Sequence, residues 1–303
     1  MIRRRPPEGK ARQPCGIVGF EVPMAETSKA RNILEEIVWF KAEEIADMRN
    51  RQSIQQLSIL VGRAPPPRDF IGALRAAMQR MGKPGLIAEV KKASPSRGVL
   101  QPDFDAVRIA QAYEAGGAAC LSVLTDARYF QGSFQFLADI RAAGVACPLL
   151  AKEFIVEAYQ LFKARAMGAD AALLIAAVLP NTDLAYLLKS AAKLGLQIIV
   201  EVHTIAELER VLRLDLGNAM LGINNRNLED FTVDLGNTRT IMESAAGKEV
   251  LQRGLLMAGE SGIFAPVDVD FVQKAGCGAI LVGESLVKTG DPAAAVRQLL
   301  SLS

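Results

Sequence analysis

The chain has 303 residues and a formal net charge of +2, which is too close to neutral to indicate nucleic acid as the main partner. Half of its residues are hydrophobic, yet no apolar run reaches the length of a membrane span, so no membrane association is expected. The length fits one large α/β barrel or two average domains.

Residues 1–26 are rich in Arg, Pro and Gly and show no periodicity, so we interpret them as a flexible leader. They contain no apolar core of a signal peptide, and the four cysteines are too far apart for a zinc knuckle or a redox pair. Both observations favour a cytoplasmic protein. The chain has a single histidine, His203, which excludes a multi-histidine metal site, and the sequence shows no transition-metal site built by the protein.

A helical pattern begins near Ser28 and repeats apolar residues at helical spacing, namely Ile33, Ile37, Phe40, Ile45 and Met48. A second helical stretch follows three prolines and includes Phe70, Leu74 and Met78. The sequence therefore predicts N-terminal helices within residues 27–82. They could pack on the following domain or bind a partner, and packing is the expectation.

After Pro84 one unit repeats: an apolar run ends in polar residues, and a helix and then a glycine follow. The runs are Leu86–Val90, Cys120–Leu124, Pro148–Ala151, Ala171–Ala176, Gln197–Val202, Met220–Ile223, Leu255–Ala258 and Ala279–Val282. Eight such units predict a single (β/α)₈ TIM barrel that, with its N-terminal helices, occupies residues 27–303. The competing fold, a doubly wound open sheet, often carries a Gly-x-Gly-x-x-Gly turn after its first strand, which this chain lacks.

The first predicted strand ends in two charged residues of opposite sign, Glu89 and Lys91. Because alternate side chains of a strand share a face, the carboxylate and the ammonium point the same way from a segment that should be buried. A loop with Ser94 and a glycine follows and suits an anion. The alternative is a surface ion pair beside a turn.

The other strand ends extend this pattern, since catalytic groups of such barrels lie where the strands end. The third strand contributes Lys152, and the fifth and seventh contribute Glu201 and Glu260. We expect Lys152 to lie in a ring of carboxylates that also includes Glu89, suitable for general acid–base catalysis. A charge network that merely closes the barrel is the alternative. For His203, a supporting role is expected rather than that of a base.

Two further features predict where a ligand would bind. Phosphate sites in barrels are often built from the loops after strands seven and eight, and here these loops offer Gly262, Gly283 and Ser285, to which Ser94 can add a hydroxyl. An apolar wall for a flat ring is predicted from Phe130, Phe154 and Leu179, with ordinary loop packing as the alternative.

These strand ends resemble the indole-3-glycerol phosphate synthase family from about Thr27 to the C-terminus. The segments that carry the resemblance are Ile87–Ser96, Leu124–Asp126, Tyr129–Gly132, Lys152–Ile155, Glu201–His203, Gly222–Leu228, Glu260–Ile263 and Val282–Leu286. The first of these segments and the one with Asn224-Asn225-Arg226 are the most specific.

The resemblance implies a lyase of tryptophan biosynthesis that converts 1-(2-carboxyphenylamino)-1-deoxyribulose 5-phosphate to indole-3-glycerol phosphate, with loss of CO₂ and water and no cofactor or metal. It implies that Lys152 is the general acid, Glu201 the general base and Lys91 the partner of the substrate carboxylate. Glu89 and Asn224 would hold the substrate hydroxyls and the catalytic lysine.

The resemblance also implies roles for the remaining residues. Arg226 would pair with Glu89, Glu260 would contact the substrate, and Ser261 would lie near the reacting end. The phosphate end would consist of Ser94, Gly262, Gly283, Glu284 and Ser285, and the ring pocket of Phe130, Phe154 and Leu179.

Two other functions stay open at this stage. One is another phosphate-binding barrel, such as phosphoribosylanthranilate isomerase, against which the two lysines and the Asn-Asn-Arg segment argue. The other is a barrel that binds a phosphorylated ligand without turnover, against which the intact set of Glu89, Lys91, Lys152 and Glu201 argues. We expect a monomer, with a weak homodimer as the alternative.

Overall fold

A computed structural model describes residues 2, 29–95, 97–227, 231–287 and 290–302. Eight parallel strands form a closed barrel in which each strand pairs with its sequence neighbours and the last pairs with the first. They are β1 Gly85–Val90, β2 Cys120–Leu124, β3 Leu149–Lys152, β4 Ala171–Ile175, β5 Gln197–Val202, β6 Ala219–Asn224, β7 Met257–Glu260 and β8 Ala279–Val282. The predicted (β/α)₈ barrel is confirmed.

Thirteen helices lie within these residues. They are α1 Ile33–Arg51, α2 Ile54–Arg63, α3 Phe70–Met81, α4 Ala106–Gly116, α5 Phe134–Ala142, α6 Ala158–Ala166, α7 Asn181–Lys193, α8 Ile205–Leu212, α9 Gly236–Glu243, α10 Ala245–Gln252, α11 Pro266–Lys274, α12 Glu284–Val287 and α13 Pro292–Leu300. In this part of the chain, no helix has both the length and the apolar character needed to cross a membrane.

Three strands end later than their apolar runs predicted: β6 continues by one residue to Asn224, and the other two end at charged residues. β3 continues to Lys152 and β7 continues to Glu260, because both charged residues still pair with a neighbouring strand, Lys152 with Leu124 and Glu260 with Asn224. Backbone pairing therefore fixes these two residues as members of the barrel wall rather than of its loops, so a rigid element positions each of their side chains.

The N-terminal helices lie at both ends of the barrel. α3 covers the end where strands begin: Cys120 Sγ donates to the Phe70 carbonyl at 3.4 Å, and Ile71 N–H donates to Gln197 Oε1 at 2.9 Å. α1 reaches the opposite end, where the strands finish. Its first turn begins at Asn32, whose side chain accepts the N–H of Glu35 at 3.0 Å.

The helix α2 was not recognised in the sequence, because it has only ten residues and buries only Leu57 of them. A signal was nevertheless present, since Ser53 and Gln56 form a capping box at its start. The predicted leader falls outside the described residues except for Ile2, which is buried.

Glycine ends several helices as expected, with Gly144, Gly168, Gly195 and Gly276 at positive φ. After α4 the residue in the left-handed conformation is Gly117, with φ of 99°, whereas Gly116 is the last residue of the helix. Gly116 instead allows close packing, since a Cβ there would lie 2.8 Å from the Ala293 carbonyl.

Candidate active site

A cleft of about 1280 Å³, measured to its open mouth, lies at the end of the barrel where the strands finish. Every barrel strand contributes at least one lining residue at or near its end, and α1 contributes Ile33, Leu34 and Ile37. Of the predicted site residues, the cleft brings together all but Leu179, namely Glu89, Lys91, Ser94, Phe130, Lys152, Phe154, Glu201, Asn224, Arg226, Glu260, Ser261, Gly262, Gly283, Glu284 and Ser285.

Lys152 lies on the cleft floor among carboxylates. Its Nζ donates to Glu260 Oε2 at 2.7 Å and lies 3.7 Å from Glu201 Oε2. About 16% of the lysine side chain is exposed, whereas Glu260 and Glu201 are buried. The predicted ring is thus present, and the Lys152 side chain lines the cleft while its counter-charges are buried.

The carboxylates decide the charge of this lysine. Burial by itself lowers the pKa of Lys152, but the nearby Glu260, Glu201 and Glu89 outweigh it and raise the pKa above its usual value. Burial and the neighbouring carboxylates Glu201 and Glu89 raise the pKa of Glu260 to about 7, against the opposing effect of Lys152. Lys152 therefore stays protonated, while Glu260 takes up a proton near neutral pH.

Glu89 and Lys91 form the ion pair that the first strand predicted, with Lys91 Nζ 2.5 Å from Glu89 Oε1. Although burial opposes ionisation of Glu89, the charges of Lys91 and Lys152 lower its pKa. The backbone at Gly283 lies close to this carboxylate and leaves no room for a side chain, because a Cβ there would lie 2.4 Å from Glu89 Oε1. The carboxylate is therefore held charged and in one place.

The expected ion pair between Arg226 and Glu89 is not the arrangement found. Among the described residues, the ion-pair partner of Glu89 is Lys91, and Arg226 lowers the pKa of Glu89 from farther away. The guanidinium of Arg226 donates to the Phe231 carbonyl at 3.3 Å, because this loop folds back on itself through the bridge between Arg226 and Val233.

Glu201 has His203 as a neighbour, as the alternation along β5 requires. His203 Nε2 lies 3.4 Å from Glu201 Oε1, and its Nδ1 lies 3.6 Å from Glu207 Oε2. Burial lowers the pKa of His203, but Glu207 and Glu201 outweigh it and raise the pKa. His203 is not among the cleft-lining residues, and it supports Glu201 from behind.

Asn224 and Ser261 face each other at the ends of β6 and β7. Ser261 Oγ donates to Asn224 Oδ1 at 2.8 Å, and the same oxygen accepts the N–H of Arg226 at 3.0 Å. Ser261 has a φ of 64°, a conformation that is uncommon for a residue with a side chain and is often found at functional sites. The side chain of Asn224 is thus oriented by its own loop and by the next strand.

The predicted phosphate end lies beside the loops after β7 and β8. Gly262 has a φ of 80°, and Ser285 lies in the short helix α12, from which its Oγ donates to the Ile263 carbonyl at 3.1 Å. Ser94 approaches from the small antiparallel hairpin of Ala93–Ser94 and Gly98–Val99. These residues all line the cleft, and their role in binding a phosphate stays a prediction.

The aromatic wall is present in part. The rings of Phe130 and Phe154 lie 5.9 Å apart between centroids, at 38° to each other. Leu179 was wrongly assigned to it, because the chain turns after β4: the N–H of Leu179 donates to the Ile175 carbonyl at 3.1 Å, and the side chain is fully buried in the core. Leu173 and Ile175 are the residues of β4 that line the cleft.

Several residues of this region were missed by the sequence analysis. Lys41 of α1 is buried against Asp126 and Glu153, although a lysine within an amphipathic helix gives no sign of such burial. Gly222 makes room for Glu260, since a Cβ there would lie 2.2 Å from Glu260 Oε1. A glycine inside a strand was the available signal for the latter.

The buried Asn225 was also missed as a structural residue. Its Nδ2 donates to the Glu260 carbonyl at 3.0 Å and to the Ser261 carbonyl at 3.2 Å. Its Oδ1 accepts the N–H of Thr238 at 3.1 Å and the Thr238 hydroxyl at 2.8 Å. Asn225 thus joins the ends of β6 and β7 to α9 and holds the backbone on which two cleft residues sit.

Fold and site together define a (β/α)₈-barrel enzyme with a charged ring where its strands end. Solved structures with this fold include a 3-hexulose-6-phosphate synthase, with a TM-score of 0.55, 15% identity and coverage of 72% of this chain and all of that one. Another, from Streptococcus mutans, is titled KGPDC and has a TM-score of 0.54, 12% identity and coverage of 72% and 96%. At these identities, the likeness is one of fold alone.

Sequence comparison identifies the family. Residues 34–299 match the family model described as indole-3-glycerol phosphate synthase. The chain is 53% identical over 294 residues to the chloroplastic indole-3-glycerol phosphate synthase of Arabidopsis thaliana, which covers 96% of this chain and 72% of that protein. It is 50% identical over 301 residues to the indole-3-glycerol phosphate synthase of Crocosphaera subtropica, with 99% of each chain covered. The chain belongs to the indole-3-glycerol phosphate synthase family.

Proposed function

We propose that this enzyme converts 1-(2-carboxyphenylamino)-1-deoxyribulose 5-phosphate to indole-3-glycerol phosphate, releasing CO₂ and water. The observation that carries the assignment of its site is the position of Lys152, a charged lysine that lines the cleft, with one short hydrogen bond to Glu260 and a partly exposed side chain. A charge network that only closed the barrel would leave no such donor facing a cleft.

In the first step, Lys152 acts as the general acid. The ring carbon that carries the carboxylate attacks the ketone carbon, a new carbon–carbon bond forms, and the ketone oxygen takes a proton from Lys152. The aromatic carbon is a weak nucleophile, so a strong positive group must polarise the carbonyl. The raised pKa of Lys152 keeps that proton available at neutral pH.

In the second step, the carboxylate leaves as CO₂, and the electrons of the broken bond restore the aromatic ring. Lys91 orients this carboxylate. Because its ammonium is already 2.5 Å from Glu89 Oε1, its charge is partly balanced, and it holds the carboxylate without stabilising it enough to stop decarboxylation.

In the third step, the hydroxyl group formed from the ketone leaves as water after protonation, and Glu201 accepts the proton that leaves the new ring. His203 and Lys152, at 3.4 Å and 3.7 Å, hold the Glu201 carboxylate from two sides. Asn224, together with Glu89, binds the substrate hydroxyls, and Ser261 fixes the orientation of Asn224. Glu260 serves Lys152 as its buried hydrogen-bond partner.

The two ends of the substrate bind at opposite parts of the cleft. The phosphate binds to Ser94, Gly262, Gly283, Ser285 and the backbone of Glu284, where backbone N–H groups and hydroxyls can donate. The carboxyphenyl ring binds against Phe130 and Phe154, and Arg226 borders the cleft between the ends. No metal or cofactor enters this scheme.

We further propose that the enzyme is a monomer and acts in the cytoplasm. Analytical ultracentrifugation at micromolar concentration tests the first point, and a single species of about 33 kDa is expected from the chain mass of 32.6 kDa. A concentration-dependent shift toward twice that mass would indicate the weak homodimer instead. Imaging of a C-terminally tagged full chain in its own cells tests the second, and signal confined to an organelle would contradict it.

The activity is tested by mixing the purified protein with the substrate and following the indole chromophore. Turnover is expected both with and without excess EDTA, because the chemistry assigned above needs side chains alone. Absence of indole-3-glycerol phosphate would contradict the proposed reaction, and loss of turnover on adding EDTA would contradict the metal-free scheme.

A further inference from the structure

A second buried lysine lies beside the cleft and takes no part in the scheme above. Lys41 of α1 is 1% exposed, and its Nζ lies 2.5 Å from Glu44 Oε2, 2.7 Å from Asp126 Oδ2 and 2.8 Å from Glu153 Oε1. All three carboxylates lie within ion-pair distance of the ammonium, which donates a hydrogen bond to Glu44 Oε2. Two of these partners, Asp126 and Glu153, belong to the barrel rather than to α1.

Both barrel carboxylates also hold the backbone of the aromatic wall. Asp126 Oδ1 accepts the N–H of Tyr129 at 2.6 Å and that of Phe130 at 3.1 Å. Glu153 Oε1 accepts the N–H of Phe154 at 2.9 Å, while Glu153 Oε2 accepts the Thr125 hydroxyl at 2.9 Å. One ammonium therefore binds the two groups that fix the two rings of the wall.

We propose that Lys41 is a positioning residue for substrate recognition: it ties Asp126 and Glu153 together and so sets Phe130 and Phe154 for the carboxyphenyl end of the substrate. This inference deepens the proposed function and rests on the assignment of that wall to the ring. Lys41 does not touch the substrate, and it acts through the two carboxylates.

Electrostatics explain why the wall depends on the lysine. Burial raises the pKa of Glu153 even with Lys41 beside it, and the neighbouring Asp126 adds to that increase. Burial lowers the pKa of Lys41, but Glu153, Asp126 and Glu44 outweigh it and raise the pKa. Without the lysine, two buried carboxylates would repel each other, and one would take up a proton or move away.

The rest of α1 is joined to the same loop. Tyr129 donates its hydroxyl to Glu36 Oε1 at 3.1 Å, and its ring meets Phe40 edge-on, with 6.0 Å between centroids. The guanidinium of Arg128 lies 4.3 Å from the centre of the Phe40 ring. α1 and the loop after β2 thus form one packed unit beside the cleft.

A simpler role for Lys41 would be to attach α1 to the barrel, and the chain offers a control for it. Arg49, also on α1, pairs with Glu157 at the start of α6 and lies over the ring of Tyr159, 5.2 Å from its centre. That ion pair attaches the same helix but does not contact the carboxylates that hold the aromatic wall. Arg49→Met therefore loosens α1 and leaves the wall in place.

The experiment compares wild type, Lys41→Met and Arg49→Met in steady-state kinetics and in calorimetric titrations with anthranilate and with inorganic phosphate. For Lys41→Met we expect KM to rise about tenfold or more, with kcat within about fivefold of wild type, since ground-state and transition-state binding of the ring weaken together. Anthranilate affinity should fall by a similar factor, about tenfold, and phosphate affinity should stay within about twofold. Arg49→Met should keep both affinities.

Two results would overturn the inference: unchanged anthranilate affinity in Lys41→Met, or an equal loss in Arg49→Met. If Lys41→Met does not fold, the double variant Lys41→Met/Glu153→Gln neutralises one of the two buried carboxylates and so removes their mutual repulsion, and it should still bind anthranilate at least about threefold more weakly than wild type. Wild-type affinity in the double variant would refute the positioning role. The titrations measure binding alone, so they test Lys41 even if the wild-type enzyme fails to turn over the proposed substrate.

Discussion

Two lysines lie among carboxylates at the same end of the barrel, and they differ in solvent exposure. Lys41 is 1% exposed and has carboxylate oxygens at 2.5, 2.7 and 2.8 Å. Lys152 is 16% exposed and has one at 2.7 Å and another at 3.7 Å. Both carry a positive charge, but Lys41 has three carboxylates within 2.8 Å and almost no exposure, whereas Lys152 has one within that distance and a side chain that lines the cleft.

A cluster of buried charges is therefore not by itself a sign of catalysis. A lysine with three short carboxylate contacts and no exposure cannot deliver a proton to a substrate. A lysine with incomplete contacts beside a cleft can do so, since the carboxylates behind it keep it charged. The comparison assigns chemistry to Lys152 and positioning to Lys41, and each assignment predicts a different loss on substitution.

The largest expected effect is on catalysis at Lys152. Lys152→Ala removes the proposed general acid, and kcat should fall by about 10²- to 10⁴-fold, the usual contribution of such a group. Indole fluorescence measures the rate, and binding of the substrate should survive, as measured by titration under conditions without turnover. If Lys152→Ala keeps most of its kcat, Lys152 is not the general acid, and neither lysine has a catalytic role.

The next effect is on stability at Lys41. Lys41→Met leaves buried carboxylates without their counter-charge, and the free energy of unfolding should fall by about 3–5 kcal/mol. Equilibrium unfolding in urea, followed by circular dichroism, measures it. A loss below about 1 kcal/mol, the range of surface ion pairs, would show that the Lys41 contacts are not a closed buried network.

A smaller effect concerns the pH dependence of stability at Glu260. The folded-state pKa of about 7 lies above the ordinary value of 4.5, so the native state holds this proton longer than the unfolded state does. The stability gained from this group is therefore complete below about pH 4.5 and is lost as the pH rises through 7.

Glu260→Gln removes this titration. Relative to wild type, the variant's free energy of unfolding should increase between pH 4.5 and pH 7 by up to about 3 kcal/mol, the energy that corresponds to the pKa difference. Urea unfolding at several pH values measures the trend. Glu209→Gln, at an exposed position of α8, controls for the loss of one carboxylate. A difference that does not change with pH would contradict the raised pKa of Glu260.

The smallest effect is expected at the solvent-exposed pair of Arg253 and Glu249, whose side chains are 44% and 42% exposed. Glu249→Ala removes this pair and leaves the hydrogen bond from Arg253 to the Leu212 carbonyl in place, so it should change the free energy of unfolding by no more than about 0.5 kcal/mol, as is usual for exposed ion pairs one helical turn apart. The same urea experiment provides the scale against which Lys41→Met is judged, and a loss comparable to that variant's would contradict the contrast between buried and exposed pairs.

Much of the fold was predictable, because eight apolar runs with helices between them have few closed arrangements. The ring around Lys152 was predictable for a related reason: strand ends of a barrel meet at one rim, so charges far apart in sequence meet in space. The positions of Glu89, Lys91, Lys152, Glu201 and Glu260 confirm that inference.

What escaped prediction depends on backbone direction and on contacts between distant segments. Leu179 was placed at the cleft because it follows β4, but a turn immediately after the strand buries it in the core. The role of Lys41 could not be predicted, because its partners Asp126 and Glu153 lie about 85 and 112 residues later in the chain. No local sequence pattern shows that α1 packs against these two residues. The ion-pair partner of Glu89 was likewise wrongly predicted to be Arg226. The partner is Lys91, which lies two residues later in the chain and is closer.

The most direct test of the account is a single-turnover measurement on Lys152→Ala and Lys41→Met at saturating substrate, with enzyme in excess. Saturating substrate compensates for weakened substrate binding in Lys41→Met. We therefore expect Lys152→Ala to slow indole formation at least about 100-fold, and Lys41→Met to stay within about fivefold of the wild-type rate. Equal slowing in both variants, or a near wild-type rate in Lys152→Ala, would contradict the division between a catalytic lysine and a positioning lysine.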